Sequence, residues 1–166
     1  YLFIGRCVMN TEKIRKTLPD FIEKKSFYSK KELKEILDDS IQTMKNRKKE
    51  LKETDEADRW LSDNYDFILN ISRKIKVKRF RIRVCFADFL FQTILSDDFT
   101  ASKDGVQALL NDGEKSFGLK EKELEFLQEA FLLSVIRGIS YAIAEKSSMI
   151  PRLIRSLHFL NQMDFH

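Results

Sequence analysis

Apolar residues recur at helical spacing in the first half of this chain. Between positions 29 and 52 they fall mainly three or four positions apart, at Leu33, Ile36, Leu37, Ile41, Met44 and Leu51. The other face is charged and carries Lys30, Lys31, Lys34, Glu35, Asp38, Asp39, Lys45 and Lys48. Ser29 is followed three residues later by Glu32, which is the pattern of a capping box. The sequence therefore predicts a solvent-facing helix from Ser29 to about Lys52, with one buried stripe.

A second amphipathic helix is predicted to begin at Thr54 or Asp55, where several acidic residues suit the positive end of the helix dipole. Its apolar stripe holds Ala57, Trp60, Leu61, Tyr65, Ile68 and Ile75. We interpret Trp60 as a core anchor, and stacking on a sugar is the alternative. Asn64 lies on the same stripe, and a buried amide without a hydrogen-bond partner costs roughly 1–3 kcal/mol. We therefore expect Asn64 to bond to the backbone at a loop or helix end, with ligand recognition as the alternative.

The second half of the chain predicts further helices. They span Arg81–Leu95, Ser102 to about Asp112, a long core helix from Leu119, and a final helix opened by Ser147–Ser148 with Pro151. The helix at positions 81–95 is apolar nearly all round, which is typical of a central helix. Gly138 interrupts the long core helix and costs it about 1 kcal/mol relative to alanine. A glycine at that position indicates close approach of a neighbouring helix.

These elements predict an all-α fold, an irregular bundle of about six to seven helices. Five glycines and two prolines in 166 residues are few for the many turns of a β-rich chain. A chain of this length buries roughly 70% of its unfolded surface and needs no metal or disulfide to fold. We divide it into a lead-in with a short helix at positions 1–28 and a bundle domain at positions 29–166. Because it begins with Tyr1, we expect it to be a piece of a larger protein.

Charge and cysteine content give only weak information on the partners and the cellular compartment of this chain. The net charge of +4 is mildly basic and by itself is weak support for nucleic-acid binding. Cys7 and Cys85 lie far apart and outside any C-x-x-C pair, so we expect reduced thiols in a cytoplasmic protein. No apolar run approaches the ~20 residues that cross a bilayer.

The chain offers little catalytic chemistry, and we assign no catalytic, cofactor-binding or metal-binding residue. Its two histidines, His158 and His166, lack the spacing to cysteine or carboxylate that a zinc site requires. No nucleophile elbow and no glycine-rich phosphate loop is present. Asp63 and Asp66 lie three apart on the polar side of their helix. Capping, solvation or ion pairing explains them more simply than general acid–base catalysis.

The sharpest local feature is a basic segment after the second helix. Seven cations without an acid fall within eleven positions, at Arg73, Lys74, Lys76, Lys78, Arg79, Arg81 and Arg83. Hydrophobic residues interleave them. Three interpretations stay open: a solvated linker whose hydrophobes pack under the bundle, a contact with an anionic membrane surface, or a nucleic-acid contact.

One motif resembles a known family. The run Trp60-Leu61-Ser62-Asp63-Asn64-Tyr65, followed by Ile68 and Ile75, resembles the W-L-x-D-N-aromatic helix of the cyclic β-1,2-glucan synthases. Weaker likenesses follow in the same order at positions 81–95, 119–144 and 154–165, so the resemblance covers positions 29–166. The family often has a proline before its third helix, where this chain has Lys78-Arg79-Phe80.

The resemblance implies a non-catalytic helical region of a large membrane glucosyltransferase that makes cyclic β-1,2-glucan from UDP-glucose. Our first hypothesis is therefore a cytoplasmic module at the inner face of the membrane, which packs against, positions or regulates the catalytic domains of its parent chain. It needs no cofactor, and the anionic membrane surface is a candidate partner. The alternative is a small basic helical module that binds nucleic acid or another protein. A free-standing helical enzyme is the least favoured.

Overall fold

The structure is a computed structural model, and it describes residues 29–80, 121–145 and 148–163. These residues form four α-helices and one short 3₁₀ turn, with no strand among them. The helices are α1 (Lys30–Lys48), α2 (Glu56–Lys74), α3 (Glu121–Glu145) and α4 (Ile150–Gln162), and the 3₁₀ turn is Val77–Arg79. The all-α class is confirmed. The helices predicted before position 29 and at positions 81–95 and 102–112 lie outside the described residues.

Helix α1 begins at the predicted capping box. The backbone N–H of Glu32 donates to Ser29 Oγ at 3.1 Å, and the Glu32 carboxylate accepts from the backbone N–H of Ser29. The helix ends at Lys48, four residues before the predicted end at Lys52. Tertiary structure overrides the pattern here, because the backbone N–H of Lys52 donates to the side chain of Asp58 at 3.0 Å. That N–H is therefore not part of a helical ladder.

Helix α2 is capped by Asp55, one of the two residues at which the sequence predicts the helix to begin. Asp55 Oδ1 accepts from the backbone N–H groups of Ala57 and Asp58. The helix ends at Lys74, and Ile75 follows in extended conformation with ψ of 118°. Ile75 therefore lies beyond the helix, although it belongs to the buried core. The segment from 75 to 80, which we call the connector, contains the 3₁₀ turn.

Helix α3 is the central element of the described bundle. Every residue from Ala130 to Ile136 is buried, so the helix is covered on all sides over two turns. It packs against α1, α2 and α4. The prediction of a close helix contact at Gly138 is confirmed, because a Cβ there would lie 3.2 Å from Leu153 Cδ2 of α4.

Helix α4 begins with Met149 at the N-cap position, with Pro151 in its first turn. The predicted start at Ser147–Ser148 is therefore early by one to two residues, and no side chain caps the helix. Its other end has a cap that the sequence pattern did not predict. Gln128 of α3 reaches across and donates to the backbone carbonyls of Leu160 and Met163, both at 2.7 Å. This amide fixes the end of α4 against the central helix.

Candidate anion-binding groove

Cations from two distant segments meet around one groove. Its volume is about 520 Å³, and six lysines and arginines line it together with a single carboxylate, Asp38. The cations are Lys30, Lys31 and Lys34 of α1, Arg73 at the end of α2, and Lys76 and Lys78 of the connector. All six are exposed. We call this feature the cationic groove.

The floor of the cationic groove is apolar. Leu37 and Ile41 of α1 lie opposite Ile75 and Val77 of the connector. Leu37, Ile75 and Val77 are buried and Ile41 is half-buried, so the floor is the outer layer of the main core. The groove thus combines a positively charged rim with a hydrocarbon base.

A hydrogen bond joins the two walls. Lys30 Nζ, at the start of α1, donates to the backbone carbonyl of Lys78 in the connector at 3.2 Å. The pair is separated by 48 residues, so only the folded chain brings them together. The bond uses one of the three ammonium donors of Lys30, so two donors and the positive charge stay available for an anion.

The structure divides the seven cations singled out in the sequence into three groups. Arg73, Lys76 and Lys78 line the groove, whereas Lys74 and Arg79 are exposed but do not line it. Arg81 and Arg83 lie outside the described residues. Sequence reasoning placed Lys30, Lys31 and Lys34 on an ordinary solvent face and did not predict that they line the groove.

A sequence signal for the missed lysines exists. Lys30 and Lys31 are the first two residues of α1, where the helix dipole favours anions and disfavours each cation by about 0.3–1 kcal/mol, and Lys34 follows just after the first turn. Two cations in the first turn conflict with helix stability. Local conflicts of this kind are expected where residues serve binding instead of folding.

Glu129 of α3 lies behind the connector. The backbone N–H of Lys76 donates to its carboxylate, and the positive charges of Lys76 and Arg79 are close. Among the described residues, its Oε2 atom is buried without a hydrogen-bond partner. Burial raises the pKa of Glu129, although the Lys76 N–H and the two cations oppose that shift. This carboxylate ties the connector wall of the groove to the central helix.

Several residues of the run at positions 60–65 hold α2 against its neighbours. Leu61 and Tyr65 are buried in the core. Trp60 is half-buried, and the Arg155 guanidinium of α4 lies 5.2 Å from the centre of its ring. Asp63 is exposed on the polar side. Leu61 and Tyr65 therefore belong to the core, while Trp60 lies at its edge.

Asn64 bonds to the backbone, but within α2 and not at the loop or helix end that we expected, and it makes one further contact. Its amide nitrogen donates to the carbonyl of Trp60 at 2.9 Å. Its oxygen lies 2.8 Å from His158 Nε2 of α4, so that this histidine nitrogen carries the proton and donates. The His158 ring also stacks on Phe67, with 3.9 Å between the ring centres. Asn64 and His158 therefore join α2 to α4.

A smaller cleft of about 230 Å³ lies at the other end of the bundle, beside Arg47 and Asp58. Asp58 is only 2% exposed, and its two oxygens accept from the Arg47 guanidinium and from the backbone N–H of Lys52. These bonds engage both carboxylate oxygens in holding α1 and α2 together. Within residues 29–80, 121–145 and 148–163, no group of three or more His, Cys, Asp or Glu side chains converges in a way that could hold a metal ion.

Comparison of the chain with protein-family models, with curated proteins and with solved structures finds no match in any of the three. The resemblance to the cyclic β-1,2-glucan synthases therefore stays a prediction that rests on the motif at positions 60–65. Among the described helices, none is both long and apolar enough to cross a bilayer.

Proposed function

We propose that this chain is a non-catalytic helical module that contacts an anionic membrane surface through the cationic groove. The observation that carries the proposal is the convergence of six cations, from segments about forty residues apart, on one apolar-floored groove. Each lysine or arginine near an anionic bilayer contributes about 1 kcal/mol. Contact of only some of the six cations with anionic headgroups therefore still contributes several kcal/mol to membrane binding.

The apolar floor favours a lipid surface over nucleic acid. Nucleic-acid sites neutralise phosphates along an extended track and read bases with polar or stacking side chains. The described groove instead presents aliphatic residues, Ile41 and Val77 among them, beneath its cations. A membrane supplies both partners at once, since its headgroups are anionic and its interface accepts hydrocarbon.

As part of the same proposal, the module positions the catalytic machinery of a larger glucosyltransferase. The resemblance at positions 60–65 supports a parent that makes cyclic β-1,2-glucan from UDP-glucose at the cytoplasmic side of the inner membrane. In this proposal the whole segment is a bundle of six to seven helices. The structural roles of Leu61, Asn64 and Tyr65, which pack or bridge helices, fit a scaffold better than an active site. The isolated chain should transfer no glucose from UDP-glucose, and measurable transfer would contradict its non-catalytic role.

Vesicle co-sedimentation tests the membrane contact. The 166-residue chain should bind vesicles with about one-third phosphatidylglycerol and should not bind pure phosphatidylcholine vesicles. Binding should weaken as salt rises, because exposed charges are screened over about 10 Å at 0.1 M ionic strength. Duplex DNA and RNA are assayed at the same low salt by mobility shift.

Two double variants of equal charge localise the contact. Lys31→Gln/Lys34→Gln removes two cations from the groove, and Lys45→Gln/Lys49→Gln removes two exposed cations at the C-terminal end of α1 and just beyond it. At about 1 kcal/mol per cation, the groove variant should bind anionic vesicles at least ten times more weakly than the control variant. Equal loss in both would show a general charge effect. Binding to nucleic acid but not to vesicles would favour the alternative function.

A further inference from the structure

We infer that the cationic groove takes a single acyl chain with an anionic headgroup: the chain lies on the floor between α1 and the connector, and the lysine rim holds the headgroup. This inference rests on the proposed membrane contact and deepens it. It changes the contact from a surface attraction into a binding site for one anionic amphiphile.

The shape of the groove suits one bound acyl chain better than contact with a flat lipid surface. Its volume of about 520 Å³ falls within the range of roughly 300–1,000 Å³ that is usual for small-molecule sites. Purely electrostatic attachment to a bilayer requires only exposed cations on a convex face. A recess between two walls, tied together by the Lys30–Lys78 hydrogen bond, is not needed for that purpose.

The distribution of polar and apolar groups supports an amphiphile. The floor residues Leu37, Ile41, Ile75 and Val77 are aliphatic. Ser72 also lines the groove, but its hydroxyl donates to the carbonyl of Ile68 at 2.7 Å and is therefore engaged in α2. The cations stand on the rim, where long lysine stems add further hydrocarbon while their ammonium groups stay in water. An occupant needs a hydrocarbon body and a negative end.

Charge complementarity selects the headgroup. Asp38 is the single acid among the twelve lining residues, against six cations. A zwitterionic headgroup would bring its own cation against this rim. A phosphate or carboxylate meets donors from both walls, with Lys31 and Lys34 on one side and Lys76 and Lys78 on the other.

The test uses the full chain and alkyl phosphates below their micelle concentrations. Methyl, octyl and decyl phosphate share one headgroup and differ in chain length, and decylphosphocholine keeps the chain but carries a zwitterionic headgroup. Isothermal titration calorimetry gives affinity and stoichiometry, and NMR shifts of the methyl groups of Ile41, Ile75 and Val77 give the location. We expect one saturable site, an affinity that rises about fourfold per added methylene, and at least tenfold weaker binding of decylphosphocholine.

Two variants at half-buried positions of α1 serve as test and control. Ile41→Trp adds bulk to the floor, whereas Ile36→Trp adds the same bulk at a residue that does not line the groove. Ile41→Trp should lower the affinity for decyl phosphate at least tenfold, and Ile36→Trp should leave it nearly unchanged. If either variant fails to fold, the chain-length series on the unaltered protein still decides the question.

The outcomes separate the two proposals. Equal binding of methyl and decyl phosphate, or displacement of decyl phosphate by an acidic peptide with loss of the same methyl shifts, would overturn the acyl-chain site. If anionic vesicles still bind in either case, the membrane contact stands without it. Absence of binding to both vesicles and alkyl phosphates would overturn both.

Discussion

Replacing Arg47 by methionine should destabilise the bundle, because it leaves a buried carboxylate without its cation. Arg47 donates to both oxygens of Asp58, with the closest contact at 2.8 Å, and the Asp58 side chain is 2% exposed while that of Arg47 is 22% exposed. Methionine keeps much of the side-chain volume of arginine, so the change tests the ion pair more than the packing.

The structure bounds the size of the effect. Removing one partner of a fully buried ion pair costs about 3–5 kcal/mol. Here the carboxylate keeps the Lys52 N–H, and the adjacent cleft brings water close, so we expect roughly 2–4 kcal/mol. At about 2–4 °C per kcal/mol for a chain of this size, the midpoint of thermal unfolding should fall by about 4–16 °C.

The assay is thermal and urea unfolding followed by circular dichroism, with Arg59→Met as the matched control. Arg59 is exposed on α2, one residue from Asp58. Exposed substitutions usually change stability by less than about 0.5 kcal/mol. If Arg47→Met and Arg59→Met lower the midpoint equally, the reasoning about the buried pair is wrong.

The pH dependence of the same variant gives an independent check. Burial by itself would raise the pKa of Asp58, but the Lys52 N–H and the Arg47 guanidinium outweigh it, so the pKa lies below its ordinary value. The folded state therefore binds this proton less readily than the unfolded chain does. The stabilisation is full well above the unfolded pKa of about 3.9 and is lost as the pH falls below it, through the folded pKa. The stability gap between the unaltered chain and Arg47→Met should narrow as the solution is acidified, and a gap that is constant with pH would contradict this assignment.

Three further changes probe the central helix. Gly138→Val should lower the free energy of unfolding by about 1–3 kcal/mol in urea, because its Cβ alone would lie 3.2 Å from Leu153. Gly138→Ala should change the free energy of unfolding by less than about 1 kcal/mol, since the higher helix propensity of alanine offsets the close contact. Gln128→Leu should cost about 1–3 kcal/mol and speed amide hydrogen exchange in the last turn of α4, while equal exchange in the variant would exclude the capping role. Glu129→Gln should raise the thermal midpoint at neutral pH, because burial raises the pKa of Glu129 above its unfolded value and its ionisation therefore costs stability as the pH rises. The glutamine can still accept from the backbone N–H of Lys76. The gain in thermal midpoint should vanish below about pH 4, and a gain that persists there would refute the assignment.

Much of the described fold follows from local sequence. The Ser29–Glu32 box and the Asp55 cap each satisfy helix-end donors within three residues, so their positions can be inferred without knowing the rest of the chain. Two helix ends that the pattern did not predict depend on side chains outside those helices. Helix α1 stops where Asp58 takes the Lys52 N–H, and the C-terminal end of α4 is capped by Gln128, more than thirty residues away.

Only part of the cationic groove could be predicted from the sequence. The cations around the connector stand out as a run without acids, but the pattern could not tell Arg73, which lines the groove, from Lys74, which does not. That difference depends on which way each side chain leaves the end of α2. The lysines of α1 carried only the indirect signal of their unfavourable place near the start of a helix.

By itself the sequence determined the helical class, the buried stripes and most of the described helix starts, because these depend on hydrogen bonds and apolar spacing within a few residues. Only the tertiary structure decided that α1 and the connector lie side by side, that Asn64 meets His158, and that six cations surround one apolar floor. Those juxtapositions depend on how the helices pack around α3. Packing joins residues that no short-range pattern in the chain relates to one another.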